Sequence, residues 1–326
     1  MHRRTAKRGA VVALIAGVFA LTLLTGGTCS GGSVTPMGGY GLAEFGGWSD
    51  SAGMHSPEAL GVNEMFDWAD LEPADNVYDW SELDATLAAA HRQGKRIIPR
   101  VYTNRAVFGQ ATPDWVFDAG AAAYYNEPGS ARQPVPFDPV FRMKFTEFLV
   151  AFGQRYDGNA DIEFIQTNAG MGAYGEMVWG YPEAYRPPGW SPDLQITTME
   201  YWVTRWRYAF PHTNLALMEN YLGSNIAETT AQFAAARGFY LQANNPDQSS
   251  QSAAILATGA NRTRIVLEIE NNGCSTATGD AFRAVIDQAF SKGFPIDYLV
   301  VCGASFSDTG NLQYAFDRLR KVPLLR

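Results

Sequence analysis

The chain has 326 residues, 46% hydrophobic and 18% charged, with a formal net charge of −8. That composition suits one large α/β domain or two smaller ones. The acidic balance, with no basic run after the first eight residues, argues against nucleic acid or anionic membrane as the main partner, because a phosphate-binding surface needs clustered Lys and Arg. A neutral polymer or a small neutral molecule fits better.

The N-terminus reads as an export signal. His2-Arg-Arg-Thr-Ala-Lys-Arg8 is a positive stretch, and Ala10–Leu24 is an apolar run of signal-peptide length, short for a membrane span. Cys29 follows Leu24-Thr-Gly-Gly-Thr28, a poor match to a lipoprotein cleavage site, so lipid anchoring at Cys29 is left open. Residues 1–29 are assigned to the signal, 30–38 to a flexible Gly/Ser leader and 39–326 to a single folded domain, secreted or held at the cell surface.

From residue 39 the chain alternates strand and helix. A strand around Tyr40–Phe45 precedes a short helix near Pro57–Leu60, and Val62–Trp68 is the second strand. Asp79-Trp-Ser-Glu-Leu-Asp84 opens a helix to about Gln93, with Leu83, Leu87 and Ala90 at helical spacing and Gly94 as its stop. Arg96–Tyr102 is the third strand. After a long loop, Pro139–Tyr156 is a helix with Phe141, Phe145, Phe148 and Phe152 on its apolar side. Asp161–Gln166 is the fourth strand and runs into Asn168-Ala-Gly-Met-Gly-Ala-Tyr-Gly-Glu176. An aromatic loop then precedes a helix over Met199–Phe210. Strands over Asn214–Asn220, Gly238–Gln242, Ile265–Ile269 and Asp297–Cys302 complete the set. They alternate with helices over Ile226–Arg237, Ser250–Thr258, Gly279–Lys292 and Leu312–Arg320. Eight such units without a break in composition predict a (β/α)8 TIM barrel, with a doubly wound open sheet as the alternative.

In a barrel, chemistry sits on the loops at the C-terminal strand ends. Those ends carry Asp70 and Glu72 after the second strand, Asn168 and Glu176 after the fourth, Glu219 and Asn220 at the fifth, and Glu270 and Asn271 at the seventh. Within Arg264-Ile-Val-Leu-Glu-Ile-Glu-Asn-Asn-Gly273 the two-residue period puts Glu268 and Glu270 on one face and Leu267 and Ile269 on the other. Acids opposed across a mouth lined with aromatic rings (Tyr174, Trp179) and amides are what glycoside cleavage requires. One acid protonates the leaving oxygen and the other attacks or stabilises the sugar centre. Glu268 also has a plainer reading, as the ion-pair partner of a barrel arginine such as Arg100. Cys274 and Cys302 fall near the ends of late strands, as a disulfide or as two buried thiols.

Asp67-Trp-Ala-Asp-Leu-Glu-Pro-Ala-Asp-Asn-Val-Tyr-Asp-Trp-Ser-Glu-Leu-Asp84, followed by Gly94-Lys95 and Ile97-Ile-Pro-Arg100, resembles the early barrel segment of clan A glycoside hydrolases, their β-galactosidase-like branch above all. The resemblance is clear over residues 62–103 and moderate at strands four and seven. It implies Glu176 as acid/base and Glu270 as nucleophile of a retaining hydrolase. Glu72, Arg100, Asn168, Tyr174, Trp179, Glu219, Asn220, Glu268 and Asn271 would meet a carbohydrate substrate. The clan usually carries Asn directly before its acid/base, where this chain has Gly175, so Glu219 stays open as the acid/base.

Other chemistries find less support. Gly170-Met-Gly-Ala-Tyr-Gly175 matches a dinucleotide fingerprint, but no helix pattern follows it. His2, His55, His91 and His212 show no metal-ligand spacing, and no serine nucleophile elbow is present. Neither a cofactor nor a metal is expected. The competing class is a catalytically silent barrel that binds glycan at the cell surface.

Overall fold

The computed structural model describes residues 41–105, 109–125, 130–168, 186–218, 224–244, 257–259, 262–269, 274, 278–291 and 293–321, all within the unit Gly32–Arg326. The expected signal and leader lie outside these residues. Among the described residues, eight strands close into a barrel: β1 Gly41–Phe45, β2 Gly61–Asp67, β3 Arg96–Tyr102, β4 Ile165–Thr167, β5 Leu215–Met218, β6 Phe239–Asn244, β7 Ile265–Ile269 and β8 Ile296–Cys302. Each is parallel to the next in chain order. β8 returns to β1, with Leu42 opposite Leu299 and Phe45 opposite Cys302. That last pairing makes the sheet a closed TIM barrel rather than a doubly wound open sheet.

The main helices are α1 Ser81–Gln93, α2 Pro139–Tyr156, α3 Pro192–Ala209, α4 Ser224–Ala235, α5 Gly279–Ser291 and α6 Thr309–Arg320. Local chemistry sets their ends. Asp79 Oδ1 accepts the Ser81 amide at 3.0 Å ahead of α1. Gly94, at φ 63°, ends α1 in the left-handed region that favours glycine. Asp138 caps α2 by accepting the amides of Val140 and Phe141, both at 2.9 Å, and Pro139 occupies the first turn.

The apolar face of α2 explains much of the packing. Phe141, Phe145, Phe148 and Phe152 are fully buried and meet Trp68, Trp202, Trp206 and Phe210 in one aromatic layer between barrel and helices. Truncating any such ring to alanine costs about 3–5 kcal/mol. Gly153 lets α2 close on the end of α3, since a Cβ there would lie 2.0 Å from the Ala209 carbonyl oxygen.

Three elements differ from the sequence reading. The short helix after β1 covers Ala52–His55, not the stretch near Pro57–Leu60. Helix α3 begins at Pro192, seven residues before Met199, because Ser191 caps it by accepting the Leu194 amide. Strand β4 pairs regularly only over Ile165–Thr167, with an isolated bridge from Ile162 to Ile97. Pro99 supplies the reason: it has no amide hydrogen to carry the β3–β4 ladder on, and the Glu163 carbonyl takes Asn214 Nδ2 instead.

Candidate active site

The barrel interior changes character along its axis. Towards the N-terminal ends of the strands it is filled by Ala43, Ile98, Phe164, Ala216, Tyr240, Val266, Tyr298 and Val300. Phe164, Tyr240 and Tyr298 meet ring to ring, with centroids 5.1–5.9 Å apart. Beneath them Tyr298 donates to Glu163 Oε1 at 2.6 Å, and Glu163 pairs with Arg96.

Towards the C-terminal ends the same inward positions turn polar. Arg100 on β3 forms an ion pair with Glu268 on β7, both almost fully buried. Arg100 Nε also donates to Gln166 Oε1 on β4 at 2.7 Å, as does Asn63 Nδ2 on β2 at 2.8 Å. Gln166 Nε2 donates to Gln242 Oε1 on β6 at 2.7 Å, and Gln242 Nε2 to Glu268 Oε2 at 3.0 Å. Five strands thus share one buried polar network, strengthened by the low dielectric around it wherever its members satisfy one another. Period two explains how it arises: Arg100, Gln166, Gln242 and Glu268 each follow an inward apolar residue two positions earlier (Ile98, Phe164, Tyr240 and Val266).

Nearer the rim, Tyr102 receives Arg100 Nη1 at 3.2 Å and donates to Met65 Sδ at 2.8 Å. Arg105 lies over the Tyr102 ring, and its Nε stands 2.9 Å from Asp67 Oδ1 as an ion pair not aligned for a hydrogen bond. Burial, partly offset by the Arg105 charge, pushes the Asp67 carboxyl up to about 6. Asn168 is fully buried at the end of β4, where its Oδ1 accepts from Thr103 Oγ1 at 2.8 Å and its carbonyl from Trp206 Nε1 at 2.7 Å.

Of the residues singled out from sequence, the structure brings together Arg100 and Glu268, with Asn168 at the same end of the barrel. Glu72 is placed differently. Its carboxylate accepts Trp68 Nε1 at 2.7 Å and the Asn76 amide at 2.9 Å, and its carbonyl accepts Trp115 Nε1 at 2.9 Å. Burial pushes this carboxyl up to about 7 against the pull of those hydrogen bonds. Glu72 therefore holds the Glu-Pro turn together and is enclosed by the protein. Tyr174, Glu176, Trp179, Glu219, Asn220, Glu270 and Asn271 lie outside the described residues. Glu270 is the residue after Ile269, the end of β7.

Cys274 and Cys302 form a disulfide with their Cα atoms 5.8 Å apart. Because Ile269 pairs with Val301, the neighbour of Cys302, both ends of segment 270–273 are tied to β8. Residues the sequence reading did not single out include Asn63, Gln166, Gln242, Asp67 and Arg105. The signal for the two glutamines is a polar residue inside an apolar strand, which is costly unless employed. Among the described residues no group of His, Cys, Asp and Glu is placed to hold a metal ion, and no helix is long and apolar enough to cross a membrane.

Known proteins can be set beside this geometry. The β-galactosidase family (Glyco_hydro_42) matches residues 49–179, which include β2, β3 and β4. No curated protein matches the chain. Among solved structures, the exo-β-1,4-mannosidase Op5Man5 from Opitutaceae bacterium strain TAV5 is similar at 12% identity and a TM-score of 0.52, over 87% of this chain and 60% of that one. This chain therefore spans about 60% of that mannosidase's length. Xylanase 10B from Thermotoga petrophila RKU-1, solved with xylobiose, is similar at 10% identity and a TM-score of 0.52, over 81% of this chain and 82% of that one. At such identities the structural likeness shows the fold, and the family match adds sequence similarity over the early barrel. The chain is a (β/α)8 barrel, and over residues 49–179 it is similar to the β-galactosidase family of glycoside hydrolases.

Proposed function

We propose that this chain is an exported glycoside hydrolase that cleaves a glycosidic bond with two carboxylates, Glu270 attacking the anomeric carbon and Glu176 donating and then withdrawing the proton. The observation that carries the reading is the change in the barrel interior, apolar towards the N-terminal strand ends and polar towards the C-terminal ends, where barrel enzymes work. The family match over residues 49–179 supports the reaction class.

In this reading Glu270 comes two residues after Glu268, the β7 residue that pairs with Arg100, and the Cys274–Cys302 disulfide ties down the far side of its segment. A retaining reaction needs its two carboxyl groups about 5–5.5 Å apart. Arg100, Asn168, Asn220, Glu268 and Asn271 would read sugar hydroxyls, and Tyr174 and Trp179 would stack on the sugar face. Glu219 is the alternative proton donor. A disulfide persists in oxidising compartments, which supports secretion or display at the cell surface together with the signal-like N-terminus.

The test is hydrolysis of 4-nitrophenyl β-D-galactoside, β-D-mannoside and β-D-xyloside, and of galactan, mannan and xylan, by the mature protein beside Glu176→Gln and Glu270→Gln. Loss of turnover in both variants with an unchanged unfolding transition supports the pair. Turnover that survives Glu270→Gln removes the nucleophile assignment. Saturable glycan binding by a wild type without turnover would replace the hydrolase with a glycan-binding barrel.

A further inference from the structure

Gln166 and Gln242 have no role in the reading above, yet both are fully buried in the polar part of the barrel. A carboxamide donates at one end and accepts at the other, and shape alone does not decide which end goes where. Here the neighbours decide. Arg100 can only donate, so Gln166 turns its oxygen to Arg100 Nε at 2.7 Å and to Asn63 Nδ2 at 2.8 Å. Its nitrogen then faces Gln242 Oε1 at 2.7 Å, which leaves the Gln242 nitrogen for Glu268 Oε2 at 3.0 Å. Arg100 Nη2 reaches the same Oε2 directly. The result is a closed ring of four side chains from β3, β4, β6 and β7, in which both arms start from Arg100 as donor and end on one carboxylate oxygen. The other, Glu268 Oε1, has no hydrogen-bond partner although the residue is only 1% exposed. A bare buried carboxylate oxygen is costly unless a donor from outside the protein completes it.

We propose that Gln166 and Gln242 are positioning residues: by holding Oε2 they fix the Glu268 carboxylate so that Oε1 accepts a hydroxyl of the sugar seated in the barrel mouth. The inference rests on the glycosidase reading and adds two residues to it. It makes a directional prediction that packing alone does not. In Gln166→Glu, residue 166 accepts at both ends, Gln242 must turn over, and its oxygen meets Glu268 Oε2. Adding Glu268→Gln supplies a donor at position 268, and the ring closes in the opposite sense with one positive and one negative charge, as in the wild type.

The experiment compares wild type, Gln166→Glu, Glu268→Gln and the double variant by urea unfolding and by steady-state kinetics on the glycoside that the wild type hydrolyses fastest. The double variant is expected to regain the unfolding midpoint lost in Gln166→Glu. Its kcat/KM should stay roughly 10- to 100-fold below wild type, the effect of losing a hydrogen bond to a charged acceptor. A midpoint in the double variant as low as in Gln166→Glu overturns the directional ring. Wild-type kcat/KM in Glu268→Gln or in the double variant overturns the ligand contact and leaves the ring a structural one. A wild type silent on every glycoside and polysaccharide named above overturns the glycosidase reading itself, and the inference with it.

Discussion

The two ends of the barrel interior solve the same packing problem with opposite chemistry. Towards the N-terminal strand ends, Phe164, Tyr240 and Tyr298 fill the space with rings, and the buried acid Glu163 is satisfied by Arg96 and the Tyr298 hydroxyl. Towards the C-terminal ends, the space goes to Arg100, Gln166, Gln242 and Glu268, and one carboxylate oxygen is left bare. The first arrangement supplies stability through apolar burial and engages its acid on both oxygens, while the Tyr240 hydroxyl there is buried without a hydrogen-bond partner. The second holds a charge in place and leaves part of it for something else. That difference separates support from function within one closed sheet.

Substitutions at the two ends should break the comparison in different ways. The largest effect is expected from Arg100→Met, which strands the Glu268 carboxylate. A buried ion pair that loses one partner costs about 3–5 kcal/mol, so urea unfolding should show that loss and glycoside turnover should vanish with it. Phe164→Ala at the opposite end should cost about the same stability by cavity formation, but the folded fraction should keep wild-type KM and kcat below the new melting midpoint. Equal damage to kinetics at both ends would remove the functional distinction between them.

Removal of the disulfide by Cys274→Ser with Cys302→Ser should cost about 2–4 kcal/mol. It should also lower kcat more than KM changes, because the tie lies beside the segment that carries Glu270. Thermal unfolding and kinetics on the same samples would show whether the two losses travel together.

The smallest effect on turnover concerns an acid that faces away from the barrel interior. Glu64 on β2 is buried against α1, where Thr86 Oγ1 donates to its Oε1 at 2.9 Å, and burial pushes its carboxyl up to about 8 from 4.5. The folded chain therefore binds a proton that the unfolded chain has released between about pH 4.5 and 8, and this group's contribution to stability falls as pH rises through that window. Glu64→Gln should flatten the slope by on the order of 1 kcal/mol per pH unit and leave turnover unchanged. Urea midpoints at pH 5 and pH 8 for the two proteins would measure it. Glu72, raised to about 7, adds dependence of the same sign that the variant would keep.

Much of the architecture could be read along the chain because it is local. The Leu83, Leu87, Ala90 spacing with Gly94 behind it marks α1, the phenylalanine stripe marks α2, and the β7 alternation separates Glu268 from Leu267 and Ile269. Errors came where a signal was non-local or masked by composition. The Ser191-Pro192 start of α3 sits behind a Pro- and Trp-rich stretch that reads as loop. The break in β4 is caused by Pro99, far off in sequence on the neighbouring strand.

By itself the sequence determined the strand–helix alternation and the faces of the strands, because periodicity and capping act over a few residues, and its Asp67–Asp84 segment carried the likeness to clan A hydrolases. Only the tertiary structure decided that the sheet closes from β8 to β1, that Arg100 meets Glu268 rather than another acid, that Cys274 meets Cys302, and that Gln166 and Gln242 join one ring. Those contacts depend on how far neighbouring strands are staggered when the barrel closes. The stagger is a property of the whole sheet, and no short stretch of sequence carries it.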